Sequence, residues 1–183
     1  MTRTVYNTAT SLDGFIATED HSLEWLFAAD SGEESATSEV EEFMKGVGAV
    51  LMGASTYEWV HRHERAKGWE YDMPSWVLTH RELPPFDGGP DIRFASADSD
   101  EELRAVHARA AESAAGKDLW LLGGGGIAAD LARLGLLDEV IVSIAPVTLG
   151  AGAPLLAGRV DLKPLDVHRT AAFACARYEV VRS

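Results

Sequence analysis

The sequence has little cysteine and no long apolar run, and both absences limit the cellular compartments in which we expect the protein. Cys175 is the single cysteine, so no disulfide can form within the chain. Residues 1–7 lack the apolar centre of a secretory signal. No stretch approaches the ~18 apolar residues that a membrane span needs. We therefore expect a cytoplasmic protein with no membrane partner.

Basic side chains are also scarce. The chain has 16 Lys and Arg residues against 29 Asp and Glu residues, and its formal net charge is −13. Such a chain repels phosphodiester backbones, so we expect no nucleic-acid partner. Binding a phosphate-bearing ligand would need local donors, such as helix N-termini or a few well-placed Arg side chains. The 183 residues contain no internal repeat or linker, which indicates one domain over residues 1–183.

Predicted strands and helices alternate along the chain. Apolar runs predict strands over 5–10, 49–52, 76–79, 92–95, 119–122 and 140–144, then an antiparallel pair over 165–173 and 175–181. Periodicity and capping patterns predict helices over 23–29, 38–45, from 55, 99–115 and 127–134. The apolar spacing puts Val40, Phe43 and Met44 on one face of the second helix. It makes Leu103, Val106 and Ala110 the buried stripe of the helix over 99–115. This order predicts an α/β fold with a central mixed, mostly parallel sheet, helices on both faces and a C-terminal antiparallel pair.

Four consecutive glycines, 123–126, join a predicted buried strand to a predicted helix. Without Cβ atoms the backbone turns tightly, and its amides and the helix dipole suit a pyrophosphate. A tight turn with nothing bound is the alternative. The Rossmann fingerprint is only partly met, because no acidic residue follows ~20 positions on. No Walker lysine follows either, so the motif is not a P-loop.

Two other predicted strands end in possible anion donors. Gly53, Ser55 and Thr56 follow one strand, and Thr79, His80 and Arg81 follow the next. Taken singly, Ser55 can be a simple helix cap and Arg81 a solvated surface charge. Ligands of open α/β sheets bind beyond the carboxyl ends of the strands, so we expect these donors and the glycines to share one cleft.

Several segments in this order resemble a known family: residues 11–17, 50–56, 77–81, 123–128, 135–140 and 145–152. Together they are similar to the dihydrofolate-reductase-like family. The strongest likeness is to the C-terminal reductase domain of bifunctional riboflavin-biosynthesis proteins and its stand-alone relatives. The resemblance covers nearly the whole chain. It implies the three-layer dihydrofolate-reductase-like fold and a homodimer, with residues 140–147 as a segment that could extend a sheet between subunits.

The resemblance also implies an NADPH-dependent reductase that transfers a hydride to a pteridine- or pyrimidine-like heterocycle. Its reaction would resemble that of 5-amino-6-(5-phosphoribosylamino)uracil reductase or dihydrofolate reductase. The family pattern gives the nicotinamide to Ala9, Ile16 and Ala17, the phosphates to Gly53, Ser55 and Thr56, the adenosine 2′-phosphate to Thr79, His80 and Arg81, and the pyrophosphate to Gly123, Gly124, Gly125, Gly126 and Ile127. It also implies a cis peptide bond between Gly123 and Gly124.

Candidates for the chemistry itself are fewer. Asp13 is a candidate catalytic and substrate-contacting residue by the family pattern, although a turn residue explains it equally well. Glu39 is the nearest candidate for the acid with which dihydrofolate reductases hold their pterin, and a solvated helix face is its alternative. Trp25 is a candidate wall of the substrate pocket. Ala54 replaces the basic residue of dihydrofolate reductases, so either the phosphate affinity is weaker or Arg81 provides more of the phosphate binding.

Two other interpretations remain open at this level. The chain can be a binding protein that keeps the dinucleotide site without turnover. It can also be a structural module in which the glycines are only turns. No metal site is predicted, because His61 and His63 are two positions apart on a helix and point in different directions.

Overall fold

The computed structural model describes residues 2–29 and 34–182, in which strands and helices alternate as predicted. In chain order the elements are β1 (Thr4–Ser11), β2 (Phe15–Ala17), α1 (Glu24–Ala29), α2 (Glu34–Lys45), β3 (Val47–Gly53), α3 (Ala54–Glu64), β4 (Ser75–Leu78), β5 (Ile92–Ala95), α4 (Asp100–Ser113), β6 (Asp118–Gly123), α5 (Gly125–Arg133), β7 (Glu139–Ala145), β8 (Ala153–Pro154), β9 (Leu162–Thr170) and β10 (Phe173–Val180). None of the helices in these residues has the length and apolar character needed to cross a membrane.

Eight strands form the main sheet in the order β5-β4-β3-β6-β1-β7-β10-β9. The pairs from β5 to β7 are parallel, whereas β10 runs antiparallel to both β7 and β9. The predicted mixed sheet and its closing antiparallel pair are therefore confirmed. The expectation that residues 140–147 extend a sheet between subunits is wrong, because β7 is already paired with β1 on one side and β10 on the other.

Successive side chains of β6 point to opposite faces of the sheet. Leu121 belongs to a core cluster with α4 and α5, whereas Trp120 packs against a second cluster with α2 and α3. The predicted buried stripe of α4, formed by Leu103, Val106 and Ala110, is confirmed. Helices on both faces complete the predicted three layers.

Some of the predicted helix caps and buried helix faces are observed, and others are not. Ser99 caps α4 as predicted, since its side chain accepts a hydrogen bond from the backbone N–H of Glu102 at 3.2 Å. The predicted cap at Ser55 is wrong: α3 begins at Ala54, and the preceding residue, Gly53, has no side chain to cap it. On α2, Val40 was expected on the buried face beside Phe43, but its side chain is 59% exposed.

Candidate functional site

Two adjoining cavities lie where β3 and β6 end and α3 and α5 begin. The apolar cavity, of about 250 Å³, is lined by Thr8, Ile16, Ala17, His21, Leu23, Ser55, Thr56, Trp59, Leu122, Gly123, Gly124, Gly125, Gly126, Ala153 and Pro154. The helix-end cavity, of about 300 Å³, is lined by Gly53, Ala54, Ser55, Thr56, Leu78, Thr79, His80, Gly124, Gly126 and Ile127. Four residues line both cavities and so form their junction: Ser55, Thr56, Gly124 and Gly126.

Three of the four positions in the glycine turn at this junction require glycine for steric reasons. Gly124 has φ of +110°, a left-handed conformation that strongly favours glycine. A Cβ atom on Gly123 would lie 2.5 Å from Thr56 Oγ1, and one on Gly125 would lie 2.0 Å from the carbonyl oxygen of Pro154. A Cβ atom on Gly126 would meet nothing within 4 Å. Gly126 is therefore free of protein contacts on the side that would carry a methyl group.

The cis peptide bond that the resemblance implied between Gly123 and Gly124 is wrong, because no cis peptide occurs in residues 2–29 and 34–182. The turn is made by the left-handed conformation of Gly124 instead. Because a glycine adopts the left-handed conformation without a Cβ clash, the chain turns from β6 into α5 with an ordinary trans peptide bond.

Two helix N-termini meet at the junction. Both α3 and α5 begin without a side-chain cap, since the residues before them are Gly53 and Gly124. The first N–H groups of a helix have no partner within the helix, and the helix dipole adds partial positive charge there. Two such ends at one junction make it suitable for a phosphate or pyrophosphate group.

The apolar cavity is lined largely by carbon atoms. Ile16 and Ala17 come from the short strand β2, and Trp59 comes from the second turn of α3. The Trp59 ring is held in place by stacking on Phe27 of α1 and on His63, with ring centres 5.9 and 4.3 Å away. This cavity is suited to a planar ring with few hydrogen-bonding demands on its faces.

The third predicted strand end also reaches this cleft. Thr79 and His80 line the helix-end cavity, while Arg81 lies in the neighbouring groove with His21 and Glu58. Two hydrogen bonds of 3.0 and 2.9 Å join the Arg81 guanidinium to the Glu58 carboxylate. The basic charge nearest the predicted 2′-phosphate site is thus already paired with an acid.

Most of the predicted binding residues line the two cavities: Ile16, Ala17, Gly53, Ser55, Thr56, Thr79, His80, Gly123, Gly124, Gly125, Gly126 and Ile127. Ala9 is outside both linings and pairs with Ser143 across β1 and β7. Trp59 was missed, although it is four residues after Ser55 and so on the same face of α3. Helical spacing could have identified it.

Asp13 serves the loops beside the cleft rather than its interior. Its carboxylate accepts hydrogen bonds from the Ser11 hydroxyl at 2.6 Å and from the backbone N–H of Gly150 at 2.7 Å. The Ser11 hydroxyl and then the Gly150 amide lower the pKa of Asp13 to about 2. Asp13 lines neither cavity and ties the β1–β2 turn to the loop after β7.

The other two chemical candidates also lie outside the cavity linings. Glu39 of α2 accepts a hydrogen bond from the Thr170 hydroxyl at 2.5 Å, at the β9–β10 edge of the sheet. Trp25 packs beside the buried residues Ala145, Phe173 and Cys175. Trp59, rather than Trp25, provides the aromatic wall of the apolar cavity.

Comparison with known proteins gives the same fold. The Bacillus subtilis (strain 168) uncharacterized protein YwjB is 32% identical over 180 residues, covering 95% of this chain and 94% of YwjB. A putative riboflavin biosynthesis protein from Shewanella sp. PV-4 superposes with a TM-score of 0.77 at 23% identity, covering 98% of this chain and 99% of that one.

Two further solved structures share the architecture at lower identity. The Saccharomyces cerevisiae riboflavin biosynthesis reductase Rib7 has a TM-score of 0.65 at 13% identity, covering 98% of this chain and 90% of that one. The Enterococcus faecalis dihydrofolate reductase has a TM-score of 0.55 at 12% identity, covering 97% and 96%. The fold is therefore dihydrofolate-reductase-like. The model of one family, described as the RibD C-terminal domain, matches residues 3–177, and this protein belongs to that family.

Proposed function

We propose that this protein is an NADPH-dependent reductase that transfers a hydride to a small pteridine- or pyrimidine-like heterocycle. The observation that carries the proposal is the junction of the two cavities, where two uncapped helix N-termini and the glycine turn meet. A dinucleotide has the matching shape, with an anionic centre between two ring systems. The Enterococcus faecalis neighbour was solved with NADP(H), and Rib7 is named a reductase, which supports the choice of ligand and reaction.

In this proposal the pyrophosphate occupies the junction, where Ser55, Thr56 and the amides of Gly124–Gly126 would hold it. The adenosine half extends into the helix-end cavity towards Thr79 and His80. The nicotinamide half enters the apolar cavity against Ile16 and Ala17. Gly123 and Gly125 are required by packing against Thr56 and Pro154, whereas Gly126 has open space on its Cβ side, which fits close approach of a ligand to the backbone there.

The bound cofactor would supply the hydride, and the protein would orient the rings and exclude water. The Trp59 ring, which lines the same cavity as Ile16 and Ala17, would offer the substrate ring a flat apolar surface. His21 is the one ionisable side chain in the described lining of the apolar cavity. We propose His21 as the donor of the proton that accompanies hydride transfer.

The preference for NADPH over NADH rests on the residues after β4. Thr79 and His80 line the helix-end cavity, and Arg81 lies next to them with its charge paired to Glu58. Ala54 supplies no basic group at the start of α3. We propose that a 2′-phosphate draws Arg81 away from Glu58 and that this exchange sets the selectivity between the two cofactors.

The direct test is NADPH oxidation with a panel of pyrimidines, pteridines and flavins, together with a calorimetric titration of NADPH. We expect micromolar or tighter NADPH binding and substrate-dependent oxidation with at least one heterocycle. Failure of the folded protein to bind NADPH would overturn the proposal.

A binding protein without turnover is the second candidate. It is favoured by the absence of Asp13 and Glu39 from the described cavity linings, which leaves His21 as the single ionisable group in the apolar cavity. Tight NADPH binding without oxidation across the whole substrate panel would identify this alternative. Oxidation that is lost when His21 is replaced would exclude it.

We also propose a homodimer, as implied by the resemblance, with its contact at β9 instead of β7. β9 is an edge strand of the sheet, and its Leu165 and Val167 side chains are 48% and 67% exposed. Light scattering of the purified protein tests this, and a monomer at high concentration would contradict it.

A further inference from the structure

Away from the cleft, the structure brings three potential metal ligands together at the β9–β10 edge of the sheet. Glu39 comes from α2, His168 from β9 and Cys175 from β10. Their ligand atoms all lie within 4.8 Å of one another, and in residues 2–29 and 34–182 no other His, Cys, Asp or Glu group of this size meets that condition. The sequence alone does not indicate the cluster. Glu39 and His168 are 129 positions apart, and His168 and Cys175 lie on different strands.

Sheet register explains how the cluster forms. His168 and Cys175 are directly opposite each other in the antiparallel β9–β10 pair, so their side chains lie on the same face. Glu39 of α2 reaches that pair, with its carboxylate 3.4 Å from His168 Nε2. Cys175 is buried, with 5% of its surface exposed, and forms the floor of the cluster.

The residues around these three side chains hold two of them in position. His168 Nδ1 lies 2.7 Å from Asp166 Oδ2, which directs Nε2 towards Glu39. Thr170 donates a hydrogen bond to Glu39 Oε1 at 2.5 Å. A histidine that binds a metal commonly gives its other ring N–H to a carboxylate in this way.

We propose that Glu39, His168 and Cys175 form a Zn²⁺-binding site with an open fourth position. A thiolate, an imidazole and a carboxylate are the donor types that Zn²⁺ accepts in proteins. Bonds of ~2.0–2.3 Å in a tetrahedral site separate the ligand atoms by ~3.3–3.8 Å. The Glu39–His168 separation of 3.4 Å already fits this range, and the wider separations, which reach at most 4.8 Å, would shorten by up to about 1 Å on binding. Binding would release the Cys175 thiol proton to solvent.

The fourth position would be open to water or to a ligand from solution. The side chains of His168 and Glu39 are 43% and 50% exposed, so the outer side of the cluster is accessible. The ion would also join α2 to the β9–β10 pair, which Glu39 now contacts through Thr170 and His168. This inference is independent of the proposed reductase activity.

Cobalt substitution tests the site directly. The protein is stripped with a chelator, kept reduced and titrated with Co²⁺, whose bond to a thiolate gives a charge-transfer band. We expect one equivalent of Co²⁺ to bind with that band and with the strong visible absorption of a four-coordinate ion, and we expect Zn²⁺ to displace it. A folded protein that shows no charge-transfer band at saturating Co²⁺ would overturn the proposal.

Substitutions then assign the ligands. Cys175→Ser should abolish the charge-transfer band, and His168→Gln or Glu39→Gln should weaken Zn²⁺ binding at least ~10-fold in competition with a chromophoric chelator. Asp166→Asn should weaken it by ~10–100-fold, as expected for a group that orients a ligand. Glu41→Gln changes an exposed carboxylate on the same helix and should bind as the native protein does.

The variants also separate folding from binding. If the buried Cys175→Ser protein does not fold, the exposed His168→Gln and Glu39→Gln proteins decide the question. Unchanged Zn²⁺ affinity in both of these variants would refute the site.

Discussion

Gly126→Ala separates the ligand role of the glycine turn from its structural role. Gly126 is in the first turn of α5 and lines both cavities, and a methyl group there meets no protein atom within 4 Å. The substitution therefore leaves the fold unstrained and removes backbone freedom from the unfolded chain. The new methyl group occupies the space that the proposal gives to the pyrophosphate.

The two effects have opposite signs. Replacing an unstrained helical glycine by alanine should raise the free energy of unfolding by up to ~1 kcal/mol, which is ~2–4 °C in Tm for a chain of this size. Displacing the pyrophosphate from one amide should remove a hydrogen bond to a charged group. That loss is ~1.5–3 kcal/mol, or about 10- to 150-fold in the Kd for NADPH.

The assay is thermal unfolding of Gly126→Ala and the native protein with and without NADPH, supported by calorimetric titration. At ~100 times its Kd, NADPH should stabilise the native protein by ~2.7 kcal/mol, and a 10-fold weaker Kd reduces this to ~1.4 kcal/mol. Gly46→Ala is the control, because Gly46 follows α2 and lies outside both cavity linings. A Gly126→Ala protein that binds NADPH as tightly as the native one would refute the proposed position of the pyrophosphate.

Four other substitutions test separate parts of the structure. Gly125→Ala forces a Cβ atom to within 2.0 Å of the Pro154 carbonyl oxygen, so it should lower Tm sharply where Gly126→Ala does not. Arg81→Ala should raise the Kd for NADPH about 10-fold or less, given its exposure, and leave the Kd for NADH unchanged. His21→Gln should lower kcat and flatten its pH profile while NADPH still binds; an unchanged profile would exclude His21 as the proton donor. Since the folded-state pKa of Asp13 is about 2, below the ~3.9 of an unfolded chain, its contribution to stability should be lost as pH falls from ~4 towards 2. Asp13→Asn should therefore weaken the dependence of the free energy of unfolding on pH in that window, measured by urea denaturation.

The order of the elements and the shared cleft could be predicted because both depend on local patterns. Apolar runs that end in glycine and lead into a helix mark the carboxyl ends of parallel strands, and those ends meet at one edge of the sheet. This places Gly53 and Gly123–Gly126 together without knowledge of any other contact, as the cavity linings confirm.

Other features depend on contacts between distant segments and could not be predicted in this way. The sequence does not show whether Trp25 or Trp59 lines the cavity. The packing of α1 on α3 decides this. Val40 has the helical spacing of a core residue, but its side chain is exposed outside the core. Asp13 contacts its neighbour Ser11, but its partners in the loop after β7, Leu149 and Gly150, lie 136 and 137 positions away, so its role as a loop contact is not visible locally.

The central claim is that a dinucleotide spans the junction of the two cavities with its pyrophosphate on the amides of Gly124–Gly126. The most direct measurement is a crystal structure of the protein soaked with NADPH. We expect the pyrophosphate at the N-termini of α3 and α5, the adenosine beside Thr79 and His80, and the nicotinamide against Ile16 and Ala17. A dinucleotide bound elsewhere, or an empty cleft at millimolar NADPH, would contradict this.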